Sequence, residues 1–173
     1  MNYLWIDLEM SGLDVQKCRI LEVAAIVTDG QFKPLEEYHS VVFQPADVLA
    51  SMDEWCTENH GKSGLTALVP KGKKESLVEK ELLALIDKHF KADERPILSG
   101  NSIGQDRKFI DQYMPALSKK LHYRMLDVTS YKVVFQDRFQ VTYNKKGSHR
   151  ALDDIYESIA ELNHYLSFVK TKP

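Results

Sequence analysis

The sequence predicts an α/β fold, a mixed five-stranded sheet with helices on its faces. Three strand-like apolar runs come first, at 3–8, 20–28 and 36–44, and helical patterns then alternate with two shorter strand-like runs. Neighbouring strands joined by short turns pair antiparallel, whereas strands separated by helices usually pair in parallel. The order βββαβαβαα therefore implies three antiparallel strands followed by βα units.

The first half of the chain predicts a meander and then a loop. Asp29-Gly30 lies between the second and third strand-like runs, and an Asp-Gly pair favours a hairpin turn. The next stretch, 46–70, contains Ser63-Gly64 and Pro70 and predicts a loop with short helices.

The second half predicts helices around two further strands. A helix over 75–90 is indicated by apolar residues at helical spacing, which are Leu77, Leu82, Leu85, Ile86 and Phe90. The remaining elements are a strand from Pro96, a helix over 104–114, a strand at 122–128, a helix near 129–137 and a last helix to about 168. Ser148, which follows Gly147, is expected to be the N-cap of the last helix.

The composition predicts one globular domain over residues 1–173. A net charge of -2 argues against a protein that tracks long nucleic acid along a basic groove, but it permits a small anionic substrate. The N-terminal run shows no basic leader, and no apolar run approaches the roughly 20 residues of a membrane span. Cys18 and Cys56 have no metal or redox spacing. We therefore expect a protein of a reducing compartment without a membrane span.

Two basic clusters are candidate phosphate contacts, KGKK at 71–74 and KKGSHR at 145–150. A solvated surface is the simpler interpretation of the first cluster. For the second, which adjoins a motif described below, both interpretations stay open.

Two acids follow the first apolar run, in the stretch YLWIDLEMSGLD. Side chains at i and i+2 of a strand face the same side, so Asp7 and Glu9 should face one spot. An isolated D-x-E pattern is weak, because acids at a strand end are often simply solvated. Charges at the end of a buried strand are nevertheless costly unless something offsets them, and ligands bind beyond the carboxyl ends of strands in such sheets.

Two later segments supply further acids. Asp106, in GNSIGQDRKF, falls in the first turn of a helix, where an acid is also favourable against the helix dipole without any function. In GSHRALDD, His149 and Asp153 stand at i and i+4 and would share one face of a helix. Asp154 is interpreted as an ordinary first-turn acid, whereas the partner His149 favours a functional Asp153.

Together these residues match one chemistry. Carboxylates that converge from separate elements raise one another's pKa, and hard divalent cations such as Mg²⁺ or Mn²⁺ remove that repulsion. Two such ions can stabilise both the attacking and the leaving oxygen of a phosphodiester displacement. A histidine beside them could deprotonate the attacking water, since its pKa lies near neutral pH.

The same motifs resemble those of a known family. Asp7-x-Glu9, Asp106 and His149-x-x-x-Asp153 resemble the three motifs of the DEDDh exonucleases, which have an RNase H-like fold. Five ordered blocks resemble the oligoribonucleases within that family, namely WIDLEMSGLD, MDEWCTENHGKSGL, GNSIGQDRKF, HYRMLDV and GSHRALDDI. The resemblance covers nearly the whole chain.

The resemblance implies a 3′-to-5′ exoribonuclease for short single-stranded RNAs, especially dinucleotides, which it degrades to nucleoside 5′-monophosphates. It implies two Mg²⁺ or Mn²⁺ ions in each active site, a homodimer and a cytoplasmic location. The metal ligands would be Asp7, Glu9, Asp106 and Asp153, and His149 would be the general base.

The resemblance also implies contacts to the bases. Leu13 would wedge between two bases, Trp55 would stack on one of them, and His60 would be a further contact. Without the resemblance, a core aromatic residue remains an alternative interpretation of Trp55.

A cap on the 5′ phosphate is implied by a second group of residues. Ser102, Tyr123, Arg124 and Thr129 would form it, with Tyr123 reaching across from the dimer partner. Thr129 stands where relatives commonly have serine, and both residues carry a hydroxyl. Gln105 is adjacent to the site. Without the resemblance, a surface pair at a strand edge is the simpler interpretation of Tyr123 and Arg124.

Two other functions compete with this hypothesis. One is a related nuclease for longer single-stranded DNA or RNA, against which the HYR and MDEW blocks argue. The other is a non-catalytic binding module that kept the fold. The presence of all four acids and of His149 argues against the module.

Overall fold

The predicted mixed sheet is confirmed in the computed structural model, which describes residues 1–144 and 150–170. The strands are β1 (Tyr3–Met10), β2 (Ile20–Thr28), β3 (Pro34–Val41), β4 (Leu98–Gly100) and β5 (Met125–Asp127). They lie in the order β3-β2-β1-β4-β5. The first three are antiparallel, and β4 and β5 run parallel to β1, so the carboxyl ends of β1, β4 and β5 meet at one edge.

Helices surround this sheet. Within the described ranges they are α1 (Ala46–Ala50), α2 (Glu54–Lys62), α3 (Leu65–Leu68), α4 (Glu75–His89), α5 (Gly104–Tyr113), α6 (Pro115–Lys120), α7 (Val128–Phe139) and α8 (Ala151–Leu166), with a 3₁₀ turn at Val69–Lys71. In the part of the chain that the structure describes, no helix has the length and hydropathy to cross a membrane.

Alternation along β1 divides the core into two layers. Leu4, Ile6 and Leu8 belong to a cluster that includes residues of α4 and α5, whereas Trp5 belongs to a second cluster with residues of α8. Successive side chains of a strand point to opposite faces, so one buried strand serves both layers. This central position holds the carboxyl end of β1 rigidly.

The predicted hairpin between β2 and β3 is confirmed, but its turn is longer than Asp29-Gly30. The Asp29 carboxylate accepts hydrogen bonds from the backbone N–H groups of Gln31 (2.8 Å) and Lys33 (2.9 Å). These backbone bonds hold the pKa of Asp29 below its usual range. The aspartate side chain therefore organises a turn that spans 29–33, and β3 begins at Pro34.

Three other boundaries differ from the predictions. Pro115 ends α5 as expected but also begins α6, because its fixed φ suits the first position of a helix. The fifth strand is only Met125–Asp127, an edge strand that pairs with β4 alone. The last helix begins at Ala151, with an extended Arg150 as its N-cap in place of the expected Ser148. Ser148 itself lies outside the described residues.

Candidate active site

Three carboxylates meet where β1 ends. One oxygen from each of Asp7, Glu9 and Asp154 lies within 4.8 Å of the others, and all three residues are half-buried. The period of the strand brings Asp7 and Glu9 to one face, as the sequence predicts. The start of α8 supplies the third acid.

Asp106 lies beside this group and is buried. Its carboxylate accepts a hydrogen bond of 3.0 Å from the backbone N–H of Leu8, the residue between Asp7 and Glu9. Burial raises the pKa of Asp106 to about 7, although the Leu8 N–H opposes the rise. The first turn of α5 thus holds a fourth acid against β1, although Asp106 is not one of the three residues whose oxygens cluster within 4.8 Å.

The surroundings of Glu9 disfavour the ionised form of its carboxyl group. The pKa of Glu9 is raised to about 8, chiefly by burial and also by the charges of Asp154, Glu22 and Asp106, whereas Arg150 lowers it. A site that makes its own carboxylate hard to ionise is one that a cation would relieve. The oxygen-only donor set fits a hard divalent cation such as Mg²⁺ or Mn²⁺.

The interpretation of the third motif requires a correction, because Asp154 and not Asp153 joins the cluster. Asp153 is exposed and lines a separate surface recess with His39, Arg150 and Leu152. The i, i+4 argument assumed a helix that already includes His149, but α8 begins at Ala151. His149 lies outside the described residues.

A pocket of about 350 Å³ opens beside Glu9, and it brings together the expected base-contacting residues. Its lining residues are Glu9, Met10, Gly12, Leu13, Asp53, Trp55, Cys56 and His60. Leu13 is 75% exposed and Trp55 59% exposed, so the alternative of a core tryptophan is wrong. Two large apolar side chains therefore stand in solvent beside the acidic cluster.

His60 connects α2 with β1 rather than standing free in the pocket. Its Nε2 lies 2.9 Å from the backbone carbonyl of Met10, and its Nδ1 lies 3.9 Å from the Glu9 carboxylate. The ring is buried. His60 thus fixes the helix that carries Trp55 against the strand that carries Glu9.

The predicted hydroxyl pair comes together beyond β4. The Ser102 backbone N–H donates to Thr129 Oγ1 (2.8 Å) and to the carboxylate of Asp127 (3.0 Å), the N-cap of α7. Ser102 adopts a φ of 48°, which is uncommon for a residue with a side chain. Its hydroxyl lies 3.1 Å from that of Thr129. These hydrogen bonds join the segment before α5, which contains Ser102, to the start of α7, which contains Thr129.

Tyr123 and Arg124 stand apart from the pocket beside Glu9. Tyr123 is 75% exposed and stacks on His122, with ring centroids 4.5 Å apart. The Arg124 guanidinium lies 5.4 Å from the centroid of the Tyr123 ring. In one chain they form an exposed group just before β5.

Gln105 makes a contact within the protein. Its side-chain amide donates a hydrogen bond of 2.7 Å to the backbone carbonyl of Leu13. The residue is thus adjacent to the site, as expected, and it holds the loop that presents Leu13.

Comparison with known proteins decides the family. The sequence profile of the exonuclease family RNase T matches residues 4–162. The oligoribonuclease of Francisella tularensis subsp. tularensis (strain WY96-3418) is 46% identical over 167 residues, which are 95% of this chain and 93% of that protein. This chain belongs to the oligoribonuclease family of exonucleases. It is therefore a nuclease, a hydrolase of phosphodiester bonds.

A second oligoribonuclease, from Marinobacter nauticus, is also 46% identical over 167 residues, with 94% of this chain and 92% of that protein covered. Two of the solved structures that match belong to larger proteins. Exonuclease I from Methylocaldum szegediense superposes with a TM-score of 0.73 at 15% identity, and E. coli exonuclease I with a dA13 oligonucleotide gives 0.72 at 14%. The chain covers about 40% of each, and this likeness shows the fold.

In this member of the oligoribonuclease family, the sequence analysis did not identify two contacts. Asp154 joins the acidic cluster, and Asp127 accepts a hydrogen bond from the Ser102 backbone N–H. A signal for Asp154 was present, since Ala151, Ile155 and Leu162 form the buried stripe of α8. Asp153 stands on the opposite side of the helix from this stripe, whereas Asp154 stands at its edge. No comparable local signal distinguishes Asp127, whose contact with Ser102 joins residues 25 positions apart.

Proposed function

We propose that this protein is a 3′-to-5′ exoribonuclease that hydrolyses short oligoribonucleotides, especially dinucleotides, to nucleoside 5′-monophosphates. The observation that carries the proposal is the adjacency of the acidic cluster, Asp7, Glu9 and Asp154, to a pocket with exposed Leu13 and Trp55. An acidic group that fits divalent cations and an apolar pocket for bases are what hydrolysis of a short RNA requires.

The acids would hold two Mg²⁺ or Mn²⁺ ions. Asp7, Glu9 and Asp154 would be ligands, and Asp106 would complete the set from α5. When bound, the ions would stabilise charge on the attacking and leaving oxygens of the phosphodiester. The raised pKa of Glu9 supports this assignment, because the site favours added positive charge.

His149 is proposed as the general base. It stands five positions before Asp154 in the sequence, and an imidazole has an ordinary pKa near neutral pH. It would take the proton from the attacking water as the bond to the departing nucleotide breaks.

The bases would bind in the pocket beside Glu9. Leu13 would part the two bases, Trp55 would stack on one, and His60 would hold the Trp55 helix in place. Stacking contributes about 1–3 kcal/mol per base and accepts every base, which suits a substrate of any sequence.

Preference for short RNA would come from a cap on the 5′ phosphate. Ser102 and Thr129 offer paired hydroxyls, and Arg124 offers a guanidinium that matches two phosphate oxygens. Tyr123, exposed at the surface of one chain, would act across a homodimer. The net charge of -2 is consistent with a site that contacts few phosphates. We propose a cytoplasmic, single-domain enzyme.

A length series tests the proposal. Hydrolysis of a two-nucleotide and a twenty-nucleotide RNA is followed with Mg²⁺, with Mn²⁺ and with EDTA. We expect faster cleavage per 3′ end of the dinucleotide, no cleavage in EDTA, and loss of activity in Asp7→Asn. Equal rates per end would favour an exonuclease for longer chains, and full activity of Asp7→Asn in Mg²⁺ would refute the metal assignment.

A further inference from the structure

The loop between β1 and β2, residues 11–19, carries Leu13 at its exposed tip and is internally braced. Its ends are joined by the Ser11 N–H, which donates to the Arg19 carbonyl (2.9 Å), and by the Arg19 N–H, which donates to Ser11 Oγ (3.0 Å). The Cys18 N–H donates to the Asp14 carbonyl (2.8 Å). These hydrogen bonds hold the two ends of the loop together and restrict its backbone conformation.

Gly12 shows how closely the loop is packed. It has a φ of +153°, and a Cβ at this position would lie 2.6 Å from the Cys18 sulfur. A side chain here would both strain the backbone and displace Cys18. Gly12, the residue before Leu13, is therefore packed closely against Cys18 of the same loop.

Tyr113, the last residue of α5, holds this loop from outside. Its hydroxyl donates to the Val15 carbonyl (2.6 Å) and accepts from an Arg19 guanidinium N–H (2.5 Å). The guanidinium also lies 4.8 Å from the centroid of the Tyr113 ring. One hydroxyl therefore joins the outgoing and returning arms of the loop, through a contact between residues 98 positions apart.

The same helix holds the acidic site. Asp106 on α5 accepts from Leu8 of β1, and Gln105 on α5 donates to the Leu13 carbonyl. Asp106, in the first turn of α5, is hydrogen-bonded to β1, and Tyr113, at the end of α5, is hydrogen-bonded to loop 11–19. The position of Leu13 relative to the acids is thus fixed through one rigid element.

We propose that Tyr113 is a positioning residue for substrate binding, whose hydroxyl fixes loop 11–19 so that Leu13 meets the bases in a preformed position. This inference rests on the proposed role of Leu13. A loop that is ordered before binding loses less conformational entropy when the substrate arrives. Tyr113 would therefore act on substrate affinity and not on the hydrolytic step.

Tyr113→Phe is the direct test, because the ring keeps its packing against Phe109 while the hydroxyl is lost. We expect KM for an RNA dinucleotide to rise about three- to tenfold, the range that one hydrogen bond typically represents, with kcat within about twofold. Tyr38→Phe is the matched control, since its hydroxyl donates to Glu81 of α4 (2.7 Å) and not to a residue of loop 11–19. It should leave KM and kcat unchanged.

A double-mutant cycle shows whether Tyr113 acts through Leu13. In a Leu13→Ala background, Tyr113→Phe should add no further rise in KM. A full additional rise, or a loss confined to kcat, would overturn the inference. Unchanged KM in Leu13→Ala alone would instead remove the proposed role of Leu13, and with it the route through which Tyr113 is inferred to act.

Hydrogen exchange tests the anchoring without any substrate. The Cys18 amide should exchange faster in Tyr113→Phe than in the unmodified protein or in Tyr38→Phe, because the loop opens more often. Unchanged exchange would overturn the inference even if KM rises. This readout also remains decisive if the enzyme proves not to cleave dinucleotides, so that failure of the proposed function and failure of the anchoring are separable.

Discussion

At the scale of single residues, two neighbouring aspartates of α8 have opposite environments. Asp154 is half-buried and meets Asp7 and Glu9, whereas Asp153 is exposed and lies beside Arg150 and His39. Consecutive helical side chains point about 100° apart, so one position decides whether an acid enters the site. Chemical type alone does not distinguish the two residues.

The aspartate pair gives a matched prediction. Asp154→Asn should lower kcat for an RNA dinucleotide in Mg²⁺ by about 100-fold or more, since loss of a metal ligand should exceed the roughly 10- to 100-fold effect of outer-shell partners. Asp153→Asn makes the same change of charge one residue earlier and should leave kcat within about twofold. Equal losses in both variants would contradict the assignment.

At the scale of elements, the start of α8 is joined to the sheet by a buried acid. Glu22 of β2 is fully buried and accepts hydrogen bonds from the Arg150 guanidinium (3.2 Å) and the Ala151 N–H (3.5 Å). His39 Nε2 lies 2.7 Å from the same carboxylate. Glu22 thus satisfies an N–H at the helix start, three residues before Asp154.

Removal of this junction should cost stability. Glu22→Ala leaves the Arg150 charge and the Ala151 N–H without their acceptor, so we expect the free energy of unfolding to fall by about 3 kcal/mol. His39→Ala removes a partly exposed partner of Glu22 and leaves Glu22 bonded to Arg150 and Ala151, so it should cost about 1 kcal/mol or less. Urea denaturation measures both. A smaller loss for Glu22→Ala than for His39→Ala would mean that Glu22 does not anchor α8.

At the scale of the whole molecule, the acidic site opposes folding when no cation is bound. Glu9 has a pKa of about 8 in the folded chain against an ordinary value of 4.5, and Asp106 shifts in the same direction. Between pH 4.5 and about pH 8, Glu9 is therefore protonated more often in the folded state than in the unfolded state. The free energy of unfolding contributed by Glu9 must therefore fall as pH rises from about 5 to 8.

This linkage predicts a pH dependence in EDTA. Between pH 5.5 and 7.5, the free energy of unfolding should fall with a Glu9 contribution that approaches about 1.4 kcal/mol per pH unit. Glu9→Gln should make the fall shallower, because an amide does not titrate. Saturating Mg²⁺ at pH 7.5 should restore stability, since it binds the folded site. An identical slope in Glu9→Gln would refute the assignment.

Much of this architecture is predictable because its signals are local. The alternation of β1 indicates a strand with two buried faces, and its period places Asp7 and Glu9 on one side. The helical spacing of 75–90 and the stop before Pro115 depend only on neighbouring residues. The hairpin after β2 was also predictable, although the Asp29 side chain makes it longer than a two-residue turn.

The sequence by itself determined the order of the strands and of the longer helices, the common direction of Asp7 and Glu9, and the segments that supply the other acids. Only the tertiary structure decided which acids meet. The apolar stripe of α8 favours Asp154 over Asp153, but the meeting of Asp154 with Asp7 and Glu9 depends on how α8 is held against the sheet, where Glu22 contacts Arg150, 128 positions apart. Periodicity is a property of neighbouring residues, whereas convergence depends on contacts between distant ones, and no short stretch of sequence records those.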